Sequence, residues 1–225
     1  MMKFEQLAHS PIFRGMKPDQ ISRRLSEIVY QVRRYGKDDQ VVLMGQPVEA
    51  LMIVQKGSVR GEMVDYSGRT LKIEDIEAPR PLASGFLFGN NRRFPVTVIA
   101  NEEAEILVIP TGEFLKLMQH EQQILTNYLN AISSRTQFLS QKLHFLSFKS
   151  IREKVAHFLL QQAGQWLHSV ELKQTQQQLA DLFGVTRPAL ARVFGEMQRE
   201  GLIEIDRKTI LLKDRKGLND LLKNG

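Results

Sequence analysis

Cysteine is absent from the 225 residues of this chain. Disulfides, thiolate zinc sites and cysteine-held iron–sulfur clusters all need a sulfur ligand, so the sequence excludes all three. Long apolar runs are also missing, because no stretch approaches the roughly 18 to 20 uncharged residues of a membrane span. The N-terminus MMKFEQLAHS lacks the apolar core of a secretory signal. We therefore expect a cytoplasmic protein with no membrane partner.

Catalytic signatures are missing as well. The chain contains no H-E-x-x-H, no G-x-S-x-G and no glycine-rich Walker loop. A hydrolase needs a nucleophile, a base and oxyanion donors that converge, or a metal cluster. The five histidines are isolated along the chain: His9, His120, His144, His157 and His168. The sequence predicts a binding protein without a metal site, not an enzyme.

Basic residues are in excess. The formal net charge is +6 and the isoelectric point is about 9.6. The last third, from Lys149 onward, carries 13 Lys plus Arg against 9 Asp plus Glu. This balance favours a polyanionic partner such as nucleic acid.

The spacing of apolar residues changes once in the first half of the chain, from a helical pattern to short runs between turns. Residues 4–35 are expected to form short helices, the second starting near Pro18, because four apolar residues follow at helical spacing. These four are Ile21, Leu25, Ile28 and Val32. From Val41 to Pro110 brief apolar runs alternate with turns, which predicts an antiparallel β-sandwich or barrel. The glycines that mark the turns are Gly45, Gly57 and Gly68.

A long helix is expected over residues 121–146, which contain neither Gly nor Pro. Its seam steps by four and three residues through Leu125, Leu129, Ile132, Thr136, Leu139, Leu143 and Leu146. An apolar stripe that repeats every 3.5 residues is narrow, and it is most simply buried against the same helix of a second chain. We therefore expect a parallel two-helix dimer. A helix packed on its own domain is the alternative. Phe138 and Phe145 are expected to cover the adjacent sandwich.

Two capping boxes predict the helices of a C-terminal domain. Ser150 and Glu153 open a helix that ends at Gly164, and Thr175 and Gln178 open the next. The segment LADLFGVTRPALARVF then divides into two helices. Gly184 suits the C-terminus of the first helix, and Thr186 suits the N-cap of the second. Pro188 falls in the first turn of the second helix, where proline is tolerated. Two helices meeting at a corner, followed by GLIEIDRKTILLKD, predict a helix-turn-helix with a β-hairpin wing.

The corner leaves one face of its second helix for a partner. Arginine can donate two hydrogen bonds to guanine, and alanine can touch a thymine methyl. The base-reading residues expected here are Thr186, Arg187, Ala189 and Arg192. The expected phosphate contacts are Thr175, Gln176 and the wing residue Lys208. Solvated charges on a structural three-helix domain are the alternative interpretation.

The order of these parts resembles the Crp/Fnr family of bacterial transcription regulators over nearly the full chain. The stretches KDDQVVLMGQPVEALMIVQKGSVRGEMVDYSGRTLKI and LADLFGVTRPALARVFGEMQREGLIEIDRKTI carry the resemblance. It implies an α+β fold with three parts. These are an antiparallel, cupin-like β-roll effector domain with flanking helices over residues 1–120, a dimerisation helix over 121–147 and a winged helix-turn-helix domain over 148–225.

The sequence departs from the family at both sites. The family's reading helix presents an arginine, a glutamate directly after it and a second arginine further along the helix; Arg187 and Arg192 match the two arginines, while Pro188 replaces the glutamate. Cyclic-nucleotide binders hold the phosphate with Gly-Glu-Leu and, about ten residues later, Arg-Ser or Arg-Thr. Those places hold ASG at 83–85 and FP at 94–95, so we expect an effector other than cyclic AMP. The expected effector pocket consists of Ser84, Gly85, Arg92, Arg93 and Phe94.

The resemblance implies a homodimer that binds double-stranded DNA at an inverted repeat, responds to a small-molecule effector and acts with RNA polymerase. Haem-containing relatives use His or Met ligands, so a haem-dependent gas sensor on the same scaffold is one alternative. A ligand-independent architectural protein that binds DNA without sequence preference is another.

Overall fold

The computed structural model describes residues 4–64 and 69–223 and divides the chain into two units, Met1–Ser134 and Arg135–Gly225. The boundary lies inside the long helix. The three-part division at 120/121 and 147/148 stays a prediction. Gly68, expected at a turn, lies outside the described residues.

Where the structure describes it, the first unit is built on eight antiparallel strands. They are β1 (Gln31–Tyr35), β2 (Gln40–Val42), β3 (Ala50–Lys56), β4 (Ser58–Val64), β5 (Thr70–Glu77), β6 (Arg80–Leu82), β7 (Thr97–Ala100) and β8 (Ala104–Pro110). They form two four-stranded sheets, in the orders β1-β8-β3-β6 and β2-β7-β4-β5. The predicted antiparallel β-roll is confirmed.

The core of this unit lies along β3 and β8. Residues 51–54 of β3 are all buried, as a run of consecutive apolar residues predicts for a strand covered on both faces. The turn after β3 requires a glycine: a Cβ on Gly57 would lie 2.3 Å from the carbonyl oxygen of Glu103, and its φ is +75°. The β3–β4 turn therefore packs directly against backbone.

The N-terminal helices are shorter than the periodicity predicts. A 3-10 helix covers Gln6–His9, and α1 covers Pro18–Ser26 and buries Ile21 and Leu25. The expected continuation through Ile28 and Val32 is wrong. Val32 lies in β1 and pairs with Leu107 of β8. The pairing of β1 with β8 stabilises the strand, and Ile28 and Val32 fit the helical spacing only by coincidence.

The long helix is present as α3 (Gln122–Leu146), which follows α2 (Thr111–His120). Its first turns are fastened to the first unit. The Asn127 amide donates to the carbonyls of Ile12 (3.0 Å) and Arg14 (2.8 Å), and the Tyr128 hydroxyl donates to the carbonyl of Ser84 (3.0 Å). Among the described residues, no helix is both long and apolar enough to cross a membrane.

The second unit contains the predicted helix-turn-helix and wing. Its elements are α4 (Ile151–Ala163), β9 (Ser169–Glu171), α5 (Gln176–Phe183), α6 (Arg187–Arg199), β10 (Ile203–Asp206), β11 (Thr209–Leu212) and α7 (Arg215–Lys223). Both α7 and the short β9, which makes the wing a three-stranded sheet, escape the sequence analysis. Phe138 and Phe145 pack in the core of this unit, so the expectation that they cover the sandwich is wrong.

Candidate nucleic-acid interface

Helix α5 begins at a complete capping box. The Thr175 hydroxyl accepts from the backbone N–H of Gln178 (3.2 Å), and the Gln178 side chain accepts from the backbone N–H of Thr175 (2.8 Å). Thr175 and Gln176 are exposed. The first turn of a helix carries unsatisfied N–H groups and a positive partial charge, which suits a phosphate.

The corner between α5 and α6 is set by backbone chemistry. Gly184 has φ 68° and ψ 38°, the left-handed conformation that ends helices, and Val185 donates its N–H to the carbonyl of Ala180 (3.0 Å). The carbonyl of Phe183, the last residue of α5, accepts a hydrogen bond from Lys154 Nζ at 2.9 Å. The corner therefore leaves few polar groups unpaired.

Helix α6 is capped and anchored on one side. The Thr186 hydroxyl accepts from the N–H of Ala189 at 3.4 Å, and Pro188 lies in the first turn. The buried faces of the two helices pack in one core. These faces consist of Leu179, Ala180, Leu182 and Phe183 on α5, and Leu190, Val193, Phe194 and Met197 on α6.

The opposite face of α6 carries the candidate base-reading residues. Thr186, Arg187 and Arg192 are exposed, and the Arg192 side chain retains 72% of its accessible surface while its guanidinium lies 3.8 Å from the Glu196 carboxylate. Ala189 is half-buried, so it presents less surface than the helical spacing suggests. Two guanidinium groups on one accessible face can donate to base edges or phosphates.

The wing holds Lys208 in a two-residue turn. Asp206 pairs with Thr209, and Arg207 takes a left-handed φ of 53° between the two strands. The Lys208 carbonyl accepts from the N–H of Leu172 at 2.8 Å, just beyond β9. The backbone of the turn is therefore fixed while the Lys208 side chain remains exposed.

Two contacts that join α4 to the helices α5 and α6 escape the sequence analysis. The Arg152 guanidinium binds the Glu200 carboxylate through both nitrogens, one at 2.7 Å from Oε1, and this hydrogen bond lowers the pKa of Glu200. It joins α4 to the end of α6. Lys154, also on α4, is only 8% exposed. Both contacts span 29 residues or more, so no local pattern announces them.

The expected effector residues lie in two places. Ser84 and Gly85 belong to a 3-10 helix over Ser84–Phe86. The Arg93 guanidinium donates to the Gly45 carbonyl at 2.7 Å, while Phe94 is buried.

A cavity of about 600 Å³ opens between β1, β2 and β3. Phe94 is one of its lining residues, while the four other expected effector residues are not among them. The cavity is mainly apolar, with Arg33 and Glu49 among its polar groups. The composition of the effector pocket stays a prediction.

The seam of α3 is exposed. Five of its leucines retain between 37% and 69% of their accessible surface: Leu125, Leu129, Leu139, Leu143 and Leu146. Ile132 is half-buried against the first core, and Thr136 is exposed. Burying such a stripe against a second helix would remove apolar surface from water.

One pair of histidines is brought together. His144 and His157 face each other with their Nε2 atoms 3.2 Å apart. Among the described residues, no group of three His, Cys, Asp or Glu side chains could hold a metal ion.

Comparison with known proteins finds similarity along most of the chain. The family model of the cyclic nucleotide-binding domain matches residues 32–121, and that of the Crp-like helix-turn-helix domain matches residues 153–221. The cyclic AMP receptor protein of Thermus thermophilus is 26% identical over 94% of this chain and 96% of its own length.

Two solved structures extend the likeness. A transcriptional regulator of Thermotoga maritima is 33% identical, with a TM-score of 0.53, over 56% of this chain and 97% of its own. The catabolite activator protein of T. thermophilus is 22% identical and shares the fold, with a TM-score of 0.54, over 95% of this chain and 99% of its own.

Proposed function

Because this chain belongs to the Crp/Fnr family of transcription regulators, we propose that it binds an inverted-repeat operator as a homodimer and reads the bases with α6. The main support for this proposal is that α6 buries one side in the domain core and leaves Arg187 and Arg192 exposed. The expected partners are duplex DNA, a second copy of the chain and RNA polymerase.

The residues divide by role. Arg187 and Arg192 donate to base edges, with Thr186 and the half-buried Ala189 at the margin of the contact. The first turn of α5, at Thr175 and Gln176, contacts phosphate. The exposed Lys208 of the wing does the same, and such contacts position the protein without reading sequence.

Pro188 changes the expected target. It takes the place of the glutamate that the family uses as an acceptor, and proline has no side-chain acceptor for the amino group of cytosine. The operator therefore differs from the family's best-known half-site at the base pair that this position faces.

Pairing through the α3 seam gives the proposed dimer. The five exposed leucines of α3 follow a heptad spacing, which matches the stripe that two parallel helices bury between them. Two reading helices then contact successive major grooves, about 34 Å apart along one face of the duplex. This geometry is why the operator is expected to be an inverted repeat.

The proposed effector is a small molecule other than cyclic AMP in its usual binding mode. Buried Phe94 stands where the phosphate-binding arginine is expected, and the neighbouring Arg93 donates to the Gly45 carbonyl. The candidate pocket keeps its five residues: Ser84, Gly85, Arg92, Arg93 and Phe94. Haem on the same scaffold is the alternative, and an absorption spectrum of the purified protein with a Soret band would favour it.

Selection from random duplexes at physiological salt tests the proposal. Wild-type chains should enrich an inverted repeat with half-sites one helical turn apart, and the double variant Arg187→Ala/Arg192→Ala should not. Repeating the selection with cell extract reports effector dependence. Equal retention of random and selected duplexes would instead favour an architectural protein.

A further inference from the structure

The C-terminal end of α3 and the middle of α4 are joined by an imidazole pair. His144 lies two residues before the end of α3, and His157 lies in the second turn of α4. Their Nε2 atoms are 3.2 Å apart. We propose that His144 and His157 form a binding site for a divalent transition-metal ion of the Zn²⁺ class.

The spacing of the two nitrogens fits two bonds to one metal ion. Zinc binds imidazole nitrogen at about 2.0 to 2.1 Å and prefers tetrahedral geometry. Two such bonds at the tetrahedral angle place the nitrogens about 3.3 to 3.4 Å apart. In the structure one imidazole donates a hydrogen bond to the other across 3.2 Å, a distance close to that spacing, so an ion would take the place of the proton between the two nitrogens.

Aromatic neighbours orient both rings. The Phe148 ring lies 5.3 Å from that of His144 and 4.9 Å from that of His157, measured between centroids. Phe145 is buried and lies 5.9 Å from each histidine. Packing that fixes the imidazoles reduces the entropy lost when both bind one ion.

The site remains open on one side. His144 is exposed and His157 is half-buried, so water can reach the ion. The charged side chains nearest to His157 along α4 have partners: the Glu153 carboxylate accepts from the Ser150 hydroxyl and the Lys149 N–H, and Lys154 donates to Phe183.

The two imidazoles supply half of a tetrahedral shell, and water or a small anion supplies the rest. Metal ligation needs neutral imidazole. A site with two protein ligands exchanges its ion, unlike the closed four-ligand sites that hold structural zinc.

An ion bound here would tie the end of α3 to α4 across residues 147–150, the turn that leads into α4. Its effect on DNA affinity rests on the proposed function, whereas metal binding does not. The two are therefore measured separately.

The test is a titration of the full-length, chelator-treated protein with Co²⁺ by visible absorption, then with Zn²⁺ by calorimetry. Wild type and the matched control His168→Ala should bind one ion per chain and gain melting temperature. His144→Ala should weaken binding at least about tenfold, and His157→Gln should do the same. Since His144 is exposed, the His144→Ala variant is expected to fold, which its far-UV circular dichroism checks.

Unchanged binding by His144→Ala, or no saturable binding by wild type up to about 1 mM metal, would overturn the site. Operator binding with and without Zn²⁺ forms the second arm. Zinc binding without any change in operator affinity supports the site and overturns its influence on DNA.

Discussion

The Lys154 ammonium donates a hydrogen bond to the Phe183 carbonyl across 2.9 Å. Phe183 ends α5, where carbonyls lack helical partners and carry negative partial charge. A cation from α4 satisfies this carbonyl at the point where the chain turns from α5 into α6. Lys154 is only 8% exposed, so little water can replace it.

Replacing this lysine should destabilise the second unit. Lys154→Met keeps most of the side-chain volume but leaves the Phe183 carbonyl unpaired, and we expect a loss of about 1 to 3 kcal/mol in the free energy of unfolding. Urea denaturation followed by circular dichroism measures it. The exposed Lys216→Met provides the control, and equal midpoints for the two variants would show that the buried bond contributes nothing.

Two glycines should respond to alanine with opposite signs. At Gly184 the φ of 68° disfavours alanine, and its Cβ would lie 3.0 Å from Leu146 Cδ2, so Gly184→Ala should lower stability by about 1 kcal/mol or more. Gly195 lies inside α6 with open space around it, and Gly195→Ala should raise stability by about 0.5 to 1 kcal/mol. Thermal unfolding of both variants decides, and a shift in the same direction contradicts the assignment.

Charge placed in the α3 seam should separate the proposed dimer. Leu143 is 69% exposed, so Leu143→Glu should change the stability of the single chain little. In the proposed dimer, the same substitution removes two leucines from the interface and replaces them with charges. We expect the dimer dissociation constant to rise at least about 100-fold, measured by sedimentation velocity. Leu115→Glu, at an exposed leucine of α2, is the off-seam control and should sediment as wild type.

The arginines and the wing lysine should affect DNA binding differently. Arg187→Ala should reduce discrimination at one base pair by about 1 to 3 kcal/mol. Lys208→Ala should weaken all duplexes alike and reduce the slope of log affinity against log salt by about 0.9. Competition assays at several salt concentrations separate the two effects. Loss of discrimination in Lys208→Ala, with Arg187→Ala unchanged, would reverse the assigned roles.

Stability should fall on mild acidification because of His157. Its pKa is lowered from the usual 6.5 in the folded chain by burial and by His144, so the unfolded chain takes up the proton first as pH falls below about 6.5. Wild type should therefore lose more stability than His157→Gln between about pH 7.5 and pH 5.5. Melting temperatures at the two pH values test this, and parallel losses would contradict it.

The sequence predicts best where the signals are local. The α5–α6 corner depends on Thr175, Gly184, Thr186 and Pro188, and each acts on backbone within four residues of itself, so residue type alone indicates the conformation. The β-roll follows from short apolar runs between turns, and the long helix α3 follows from a stretch without Gly or Pro, while the dimer seam stays a prediction.

Long-range contacts set the limit of sequence prediction. Strand β9 has three residues, too few for a pattern, and it exists because β11 pairs with it. Val32 fits a helix by spacing but joins a sheet through its pairing with Leu107 of β8. The Lys154 bond joins residues 29 apart, and a lysine in a helical pattern normally indicates a solvated face.

Helix α6 has a packed face that stabilises the fold and an exposed face that carries the proposed DNA-reading residues. Exchanging Arg187 or Arg192 removes no buried volume and leaves the cap at Thr186 in place. Under the proposed function, substitutions at these two positions change the promoter that is bound, while the residues that hold the fold together stay the same.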